Sequence, residues 1–353
     1  MKKSWPAIKF VLPVFLIWRT ILLLLGLLSF QLFTFKASFP YIDQALIASH
    51  FPQWLWHWGN FDGVHYLSLA FFGYREGDQV FFPLFPLIIR IVGDVVGNYF
   101  LAGLLISNLA VLLAAIVFYR LVNRDFNQST ARWSVIFLFF FPTSFFFGAV
   151  YTESLFLLLL LSAYYFSGLK SLLSSFLAGL TRLVGFFDLP AGFLGVFSYI
   201  LYLWKNFNNP FYFLSAQAAF QNERVFSLTH IITPPQVVWR YFKILTQVSY
   251  SHPDFWVAAL ELTAFLFGLV VLGWLTIKKR VPTKYLLFSW PAFLLPAFSG
   301  TFSSFPRYLL TIFPIFIGLA LIKKPVYKTA ILLIFFCLLT ILTMLWLRGY
   351  WIS

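Results

Sequence analysis

Acidic residues are scarce: 11 Asp and Glu stand against 25 Lys and Arg, and charged side chains make up 10% of 353 residues. A soluble domain carries about 25% charged residues. So few carboxylates cannot hold 48 Phe and 13 Trp in water, which excludes a soluble enzyme. A disordered chain is excluded too, because disorder requires a low apolar content. Cysteine is reduced to Cys337, so neither an intrachain disulfide nor a Cys-based metal site can be built. Repeats and low-complexity tracts are lacking as well. What is present is 61% hydrophobic and 22% aromatic, the composition of a polytopic membrane protein.

The net charge of +14 does not point to nucleic acid, because the cations stand in small groups at the ends of apolar runs. Lys2 and Lys3, Arg120 with Arg124 and Arg132, Lys278 to Arg280, and Lys323 with Lys324 are distributed as cytoplasmic loops require. The first apolar run lacks a cleavage site and reads as an uncleaved first span. A helix needs about 20 apolar residues to cross the bilayer core. Ten runs qualify: 8–30, 98–119, 133–150, 154–169, 171–187, 189–204, 255–277, 284–299, 307–322 and 328–347. The expectation is an all-α transmembrane bundle of about 9–11 spans, one membrane domain over residues 1–353 with no soluble appendage. The cations place the segments 31–97 and 205–254 together on the extracytoplasmic face, where they would carry amphipathic loop helices. Eight acidic residues share that face: Asp43, Asp62, Glu76, Asp78, Asp94, Glu153, Glu223 and Asp254. Residues 171–204 conflict with this scheme. Two runs stand where an odd number of crossings is needed, so one crossing plus a re-entrant piece is expected.

The stretch 54–90, "WLWHWGNFDGVHYLSLAFFGYREGDQVFFPLFPLIIR", carries most of the chemistry. Trp54, Trp56 and Trp58 suit a helix lying in the headgroup layer. Asp62 then falls at the N-cap or first turn of a helix, with His65 one turn on and on a similar face. A carboxylate at the water–lipid boundary can act as general base, and a neighbouring imidazole can bind phosphate or tune it. The plainer alternative is a capping Asp62 and an interfacial His65. Glu76 and Asp78 could contribute oxygen ligands to a Mg²⁺ or Mn²⁺ site, although the spacing is also that of a solvated turn. His50, His57, His230 and His252 read as interfacial. Arg182 and Arg307 stand near the outer ends of apolar runs, where an arginine faces a partner or a polar cavity, or else snorkels. Glu153, at the outer end of its span, could pair with one of them or bind a hydroxyl. Arg19 reads as structural, with Glu261 as a conceivable partner.

"FDGVHYLSLAFFGY…FFPLFPLIIR" resembles the signature of the GPI mannosyltransferase II-like (PIG-V type) members of the GT-C glycosyltransferases. Similar blocks follow in the same order: "FPTSFFFGAVYTESLFLLLLLSAYYF" at 141–166, "AGLTRLVG" at 178–185, "NPFYFLSAQAAF" at 209–220 and "SSFPRYLLTIFPIF" at 303–316. Phe61 stands where the family usually has Trp. After Arg182 the chain is shorter than the family pattern, by the crossing whose absence creates the conflict at 171–204. The resemblance implies a GT-C bundle that takes a sugar, with mannose expected, from a polyprenyl- or dolichyl-phosphate donor and transfers it with inversion. Asp62 then becomes the general base, with His65 supporting it or the donor phosphate. Arg307, Arg182 and Tyr308 would bind that phosphate, and Glu153, Gln217 and Tyr66 would serve the acceptor or the structure. The implied acceptor is a glycolipid, a glycan or a protein hydroxyl, and the partners are membrane lipids rather than nucleic acid. Rival readings are a transporter or lipid flippase, and a catalytically inactive scaffold of the same fold. Compact loops suggest a prokaryotic plasma membrane, with the site on its outer face.

Overall fold

The computed structural model describes residues 5–36, 39, 42–217 and 232–352. Lys2, Lys3, Glu223, His230 and the end of the 209–220 block lie outside the described residues. Every regular element among the described residues is helical. The main ones are α1 (Trp5–Leu32), α2 (Asp62–Phe72), α3 (Leu84–Val96), α4 (Tyr99–Asp125), α5 (Gln128–Phe139), α6 (Glu153–Tyr165) and α7 (Leu169–Gly179). They continue with α8 (Leu189–Phe207), α9 (Pro234–Gln247), α10 (Pro253–Ile277), α11 (Thr283–Ala297), α12 (Phe305–Tyr308), α13 (Pro314–Ala320) and α14 (Pro325–Leu347). Four of these, α1, α4, α10 and α14, are long and apolar enough to cross a membrane. The chain is an integral membrane protein.

Besides the run 171–187, two more of the ten expected spans are broken. The run 133–150 is helical only to Phe139, and a 3-10 turn over Ser144–Gly148 follows. Pro142 cannot donate to the helical ladder, so the backbone leaves the helix there. The run 307–322 is divided into α12, a 3-10 turn at Leu309–Thr311 and α13, with Pro314 starting the second piece. Irregular backbone at such depth is tolerated where protein covers it or a cavity adjoins it. Both broken segments are almost wholly buried, and Phe141 packs edge-on to Phe316 at 5.5 Å.

Contacts divide the bundle into two ends. At one, Arg124 donates to the carbonyl of Tyr165 at 3.1 Å, and the Tyr164 hydroxyl donates to the carbonyl of Lys284 at 3.3 Å. This basic end also holds Lys328, 5.2 Å over the Trp133 ring. At the other end, Glu153 meets Arg182 and Asp62 meets Arg307.

The junction at 171–204 has a form that satisfies both of its constraints. From the basic end, α7 rises along α6, anchored by Ser171, which donates to the carbonyl of Ala163 at 2.6 Å. Eleven residues make only about 16 Å of helix, short of the roughly 30 Å bilayer core. At Arg182 the chain turns back through a 3-10 segment, Leu183–Phe187. It descends until the Asp188 carbonyl accepts from Ser175 at 2.8 Å. From there α8 rises a second time, and its Tyr199 hydroxyl donates to the carbonyl of Gln79 at 2.8 Å near the site end. The net result is one passage from basic end to site end, with α7 and the 3-10 segment as a re-entrant excursion. Glycines permit it: a Cβ on Gly179 would lie 2.1 Å from the Gly192 carbonyl oxygen, and one on Gly195 would lie 2.1 Å from that of Phe176.

Candidate active site

The turn before α2 aims Asp62. Phe61 has φ +56° and ψ −118°, a conformation that costs a non-glycine residue about 1–3 kcal/mol and needs its surroundings to hold it. The ring of Phe61 is held by Phe39, Trp346 and Trp351, with centroids 4.7, 6.2 and 5.4 Å away. On the preceding residue, the Asn60 amide donates to the carbonyls of Trp346 and Leu347 at 3.1 and 3.2 Å, tying the turn to the end of α14. The Tyr151 hydroxyl closes it, accepting from the Asp62 N–H at 3.2 Å and donating to the Asn60 carbonyl at 3.1 Å.

Four charged side chains then converge from distant parts of the chain. Arg307 Nη1 reaches Asp62 Oδ2 at 2.5 Å, and its Nε lies 3.4 Å from Glu153 Oε1. The same Glu153 oxygen accepts from Arg182 Nη1 at 2.5 Å. Charge thus alternates along Asp62, Arg307, Glu153 and Arg182, balancing two carboxylates against two guanidiniums. Exposure separates the carboxylates: the Asp62 side chain is 25% exposed and that of Glu153 is 1% exposed. A proton acceptor must be reachable by its substrate, so Asp62 fits that part and Glu153 fits the part of anchor for the arginines.

All four line one cavity of about 210 Å³. Tyr66, Thr152, Thr181, Gln217 and Tyr308 add polar groups, and Phe81, Phe82, Leu183, Val184, Leu295 and Pro296 supply an apolar wall. The Tyr66 hydroxyl is 3.4 Å from Thr152 Oγ1. Burial, with the nearby charges of Asp62 and Glu153, pushes the Tyr66 phenol well above its usual range, so it stays a neutral donor. A charged subsite beside an apolar wall suits a molecule with an anionic head and a hydrocarbon tail.

Several expectations need correction. His65 is not beside the Asp62 carboxylate: its ring stacks on Phe81 at 5.1 Å and its Nδ1 faces Asp78 at 3.8 Å. Residues three apart on a helix differ by about 60° in direction, enough to send one into the cavity and the other behind it. Glu76 is exposed, and buried Asp78 accepts from the Arg75 N–H at 3.3 Å. Among the described residues no group of three or more His, Cys, Asp or Glu side chains could hold a metal ion. Trp54 is exposed, but Trp56 and Trp58 are buried, and Arg19 lies 4.2 Å over the Trp58 ring rather than beside Glu261. His57 is buried as well, stacked between Phe30 and Phe35 at 5.3 and 5.0 Å. Its burial, reinforced by Arg348, lowers its pKa to about 3. His50 and His252 are exposed. Asn60, Tyr151, Thr152 and Thr181 were not singled out from the sequence. Tyr151 and Thr152 precede Glu153 in "YTES", and that adjacency was the signal for them.

Residues 8–179 match the sequence model of a family described as mannosyltransferase (PIG-V). GPI mannosyltransferase 2 of Drosophila pseudoobscura pseudoobscura is 32% identical over 133 residues, 34% of this chain and 28% of the fly protein. The match therefore spans little more than a quarter of that relative's length. Its eukaryotic source lends no support to a prokaryotic plasma membrane. No solved structure matches the chain. Arg182, Gln217, Arg307 and Tyr308 lie beyond the matched stretch, whereas Asp62, His65, Tyr66 and Glu153 lie within it. Over residues 8–179, the half that builds the carboxylate side of the cavity, the chain is similar to the mannosyltransferase (PIG-V) family.

Proposed function

We propose that the protein transfers a mannosyl group from a polyprenyl- or dolichyl-phosphate donor to an acceptor hydroxyl on the extracytoplasmic side, with inversion. The observation that carries this is the meeting of an accessible carboxylate and two guanidiniums in one cavity with an apolar wall. The acceptor oxygen attacks the anomeric carbon while Asp62 takes its proton. The bond from that carbon to the phosphate oxygen breaks, and the lipid phosphate leaves with the electron pair. Attack opposite the leaving group inverts the configuration. Arg307 and Arg182 stabilise the charge that grows on the departing phosphate. Glu153 holds both arginines, and Gln217, Tyr66 and Tyr308 are available to sugar hydroxyls. Similarity to the mannosyltransferase (PIG-V) family supports mannose as the sugar. A transporter would be expected to place such groups near mid-membrane, whereas these cluster at the end opposite the basic loops.

The test is a comparison of donors. Purified protein in proteoliposomes receives radiolabelled polyprenyl-phosphate-mannose or the nucleotide sugar GDP-mannose, together with a crude glycolipid fraction. Label should pass to the acceptor from the lipid donor alone. Transfer from the nucleotide sugar alone would contradict the proposal, as would movement of intact lipid donor across the bilayer without transfer.

A further inference from the structure

Glu261 is a carboxylate inside the transmembrane helix α10, 4% exposed. A charge at that depth is costly unless it is satisfied. One oxygen accepts from the backbone N–H of Ser304 at 3.2 Å, and the other accepts from the Tyr241 hydroxyl at 2.6 Å. Tyr241 belongs to the loop helix α9. Its hydroxyl also accepts from the Phe302 N–H at 3.0 Å and lies 2.9 Å from Thr301 Oγ1. Glu261 and Tyr241 thus satisfy the backbone of residues 301–304, the turn that ends one residue before α12. That turn is held in an unfavourable shape, since Ser304 has φ +63°. Its N–H is bound to Glu261, and its carbonyl accepts from the Arg307 and Tyr308 N–H groups at 3.1 Å each. Phe302 and Phe305 pack on Phe265, one turn along α10 from Glu261, at 4.2 and 5.3 Å.

We infer that Glu261, acting with Tyr241, is the positioning residue that presents Arg307 to the cavity between Asp62 and Glu153. This rests on the reading of Arg307 as the phosphate-binding group. The hydrogen-bond inventory makes the pair hard to replace. The Tyr241 proton goes to Glu261, and its lone pairs receive the Phe302 N–H and, when Thr301 donates, the Thr301 hydroxyl. An amide at position 261 would keep an acceptor for Ser304 but turn an N–H₂ towards a hydroxyl that already donates there. Loss of such a buried hydrogen bond corresponds to about a tenfold change in an equilibrium.

The experiment measures binding of a polyprenyl phosphate to Glu261→Gln, Tyr241→Phe, Arg307→Ala and the Glu261→Gln/Arg307→Ala double variant in detergent, with backbone hydrogen exchange on each. Glu261→Gln and Tyr241→Phe should each weaken binding about tenfold and speed exchange at residues 299–308, leaving exchange in α1 and α4 unchanged. In the Arg307→Ala background, Glu261→Gln should weaken binding no further. Additive losses, or unchanged exchange at 299–308, would overturn the inference. Should the wild type bind no polyprenyl phosphate, the proposed function falls, and exchange at 299–308 alone decides the role of Glu261.

Discussion

Arg307 touches two carboxylates that differ in what surrounds them, and the parts proposed for them follow that difference. Glu153 is enclosed, with one oxygen shared between Arg182 at 2.5 Å and Arg307 at 3.4 Å. Removing one partner of a buried ion pair leaves uncompensated charge, at a cost of about 3–5 kcal/mol. Glu153→Ala should therefore lower the thermal midpoint in detergent sharply, with activity lost along with the fold, while Asp62→Asn should melt close to the wild type. His57 supports a prediction of pH dependence. Its pKa is depressed by burial to about 3, so the unfolded chain binds a proton below about 6.5 that the folded chain refuses. Its contribution is complete above pH 6.5 and is lost progressively as pH falls towards 3. His57→Phe keeps the stack between Phe30 and Phe35 and should flatten the fall in melting temperature between pH 7 and pH 4.5. An unchanged slope would show that other groups carry the acid sensitivity.

At the scale of elements, the re-entrant excursion depends on backbones approaching closely. Gly179→Ala would drive a methyl group into the Gly192 carbonyl at 2.1 Å. The nearest atoms, in Gly192 and Val196, are all backbone, so α7 and α8 must separate, and overpacking of this kind costs about 1–3 kcal/mol. The variant should melt lower and bind lipid phosphate less well, because Arg182 lies three residues beyond Gly179. Gly273→Ala in α10 is the matched control, with nothing within 4 Å of the added carbon. It should be neutral or stabilising, by up to about 1 kcal/mol from helix propensity. Equal effects of the two substitutions would refute the close-packing account.

Charge counting already required an odd passage through 171–204, because loop cations and span parity are properties of the sequence. It could not tell a re-entrant α7 from a missing helix, since that depends on which glycines face one another. The broken spans at Pro142 and Pro314 were hidden because hydropathy measures apolar content and not backbone continuity. The place of Asp62 in the first turn of α2 was legible from its position before an apolar run. The packing of buried His65 against Phe81 and Asp78 was not, because those two residues arrive from a later loop.

In the whole molecule, the loops around Arg124 and Lys328 stand at one end and the Asp62–Arg307–Glu153–Arg182 chain at the other, joined by α1, α4, α10 and α14. Under the proposed function, that separation would put sugar transfer at the surface away from the Arg124 and Lys328 loops, with the lipid tail in hydrocarbon. It also explains how residues 62, 153, 182 and 307 could be nominated individually from the sequence while their contacts could not. Each stands at the end of a different element, and only the assembled bundle brings those ends together. Glu261, read from the sequence as a conceivable partner of Arg19, missed its real partners for the same reason, since Tyr241 and Ser304 lie on other elements.

The most direct measurement of the central claim is mannosyl transfer from radiolabelled polyprenyl-phosphate-mannose by the wild type and by Asp62→Asn, side by side in proteoliposomes with a glycolipid acceptor fraction. The amide keeps the size of the carboxylate but cannot take the acceptor proton. With donor binding retained, transfer should fall at least ~100-fold, the scale of a lost general base. Equal transfer by both proteins would remove Asp62 from the reaction and contradict the account.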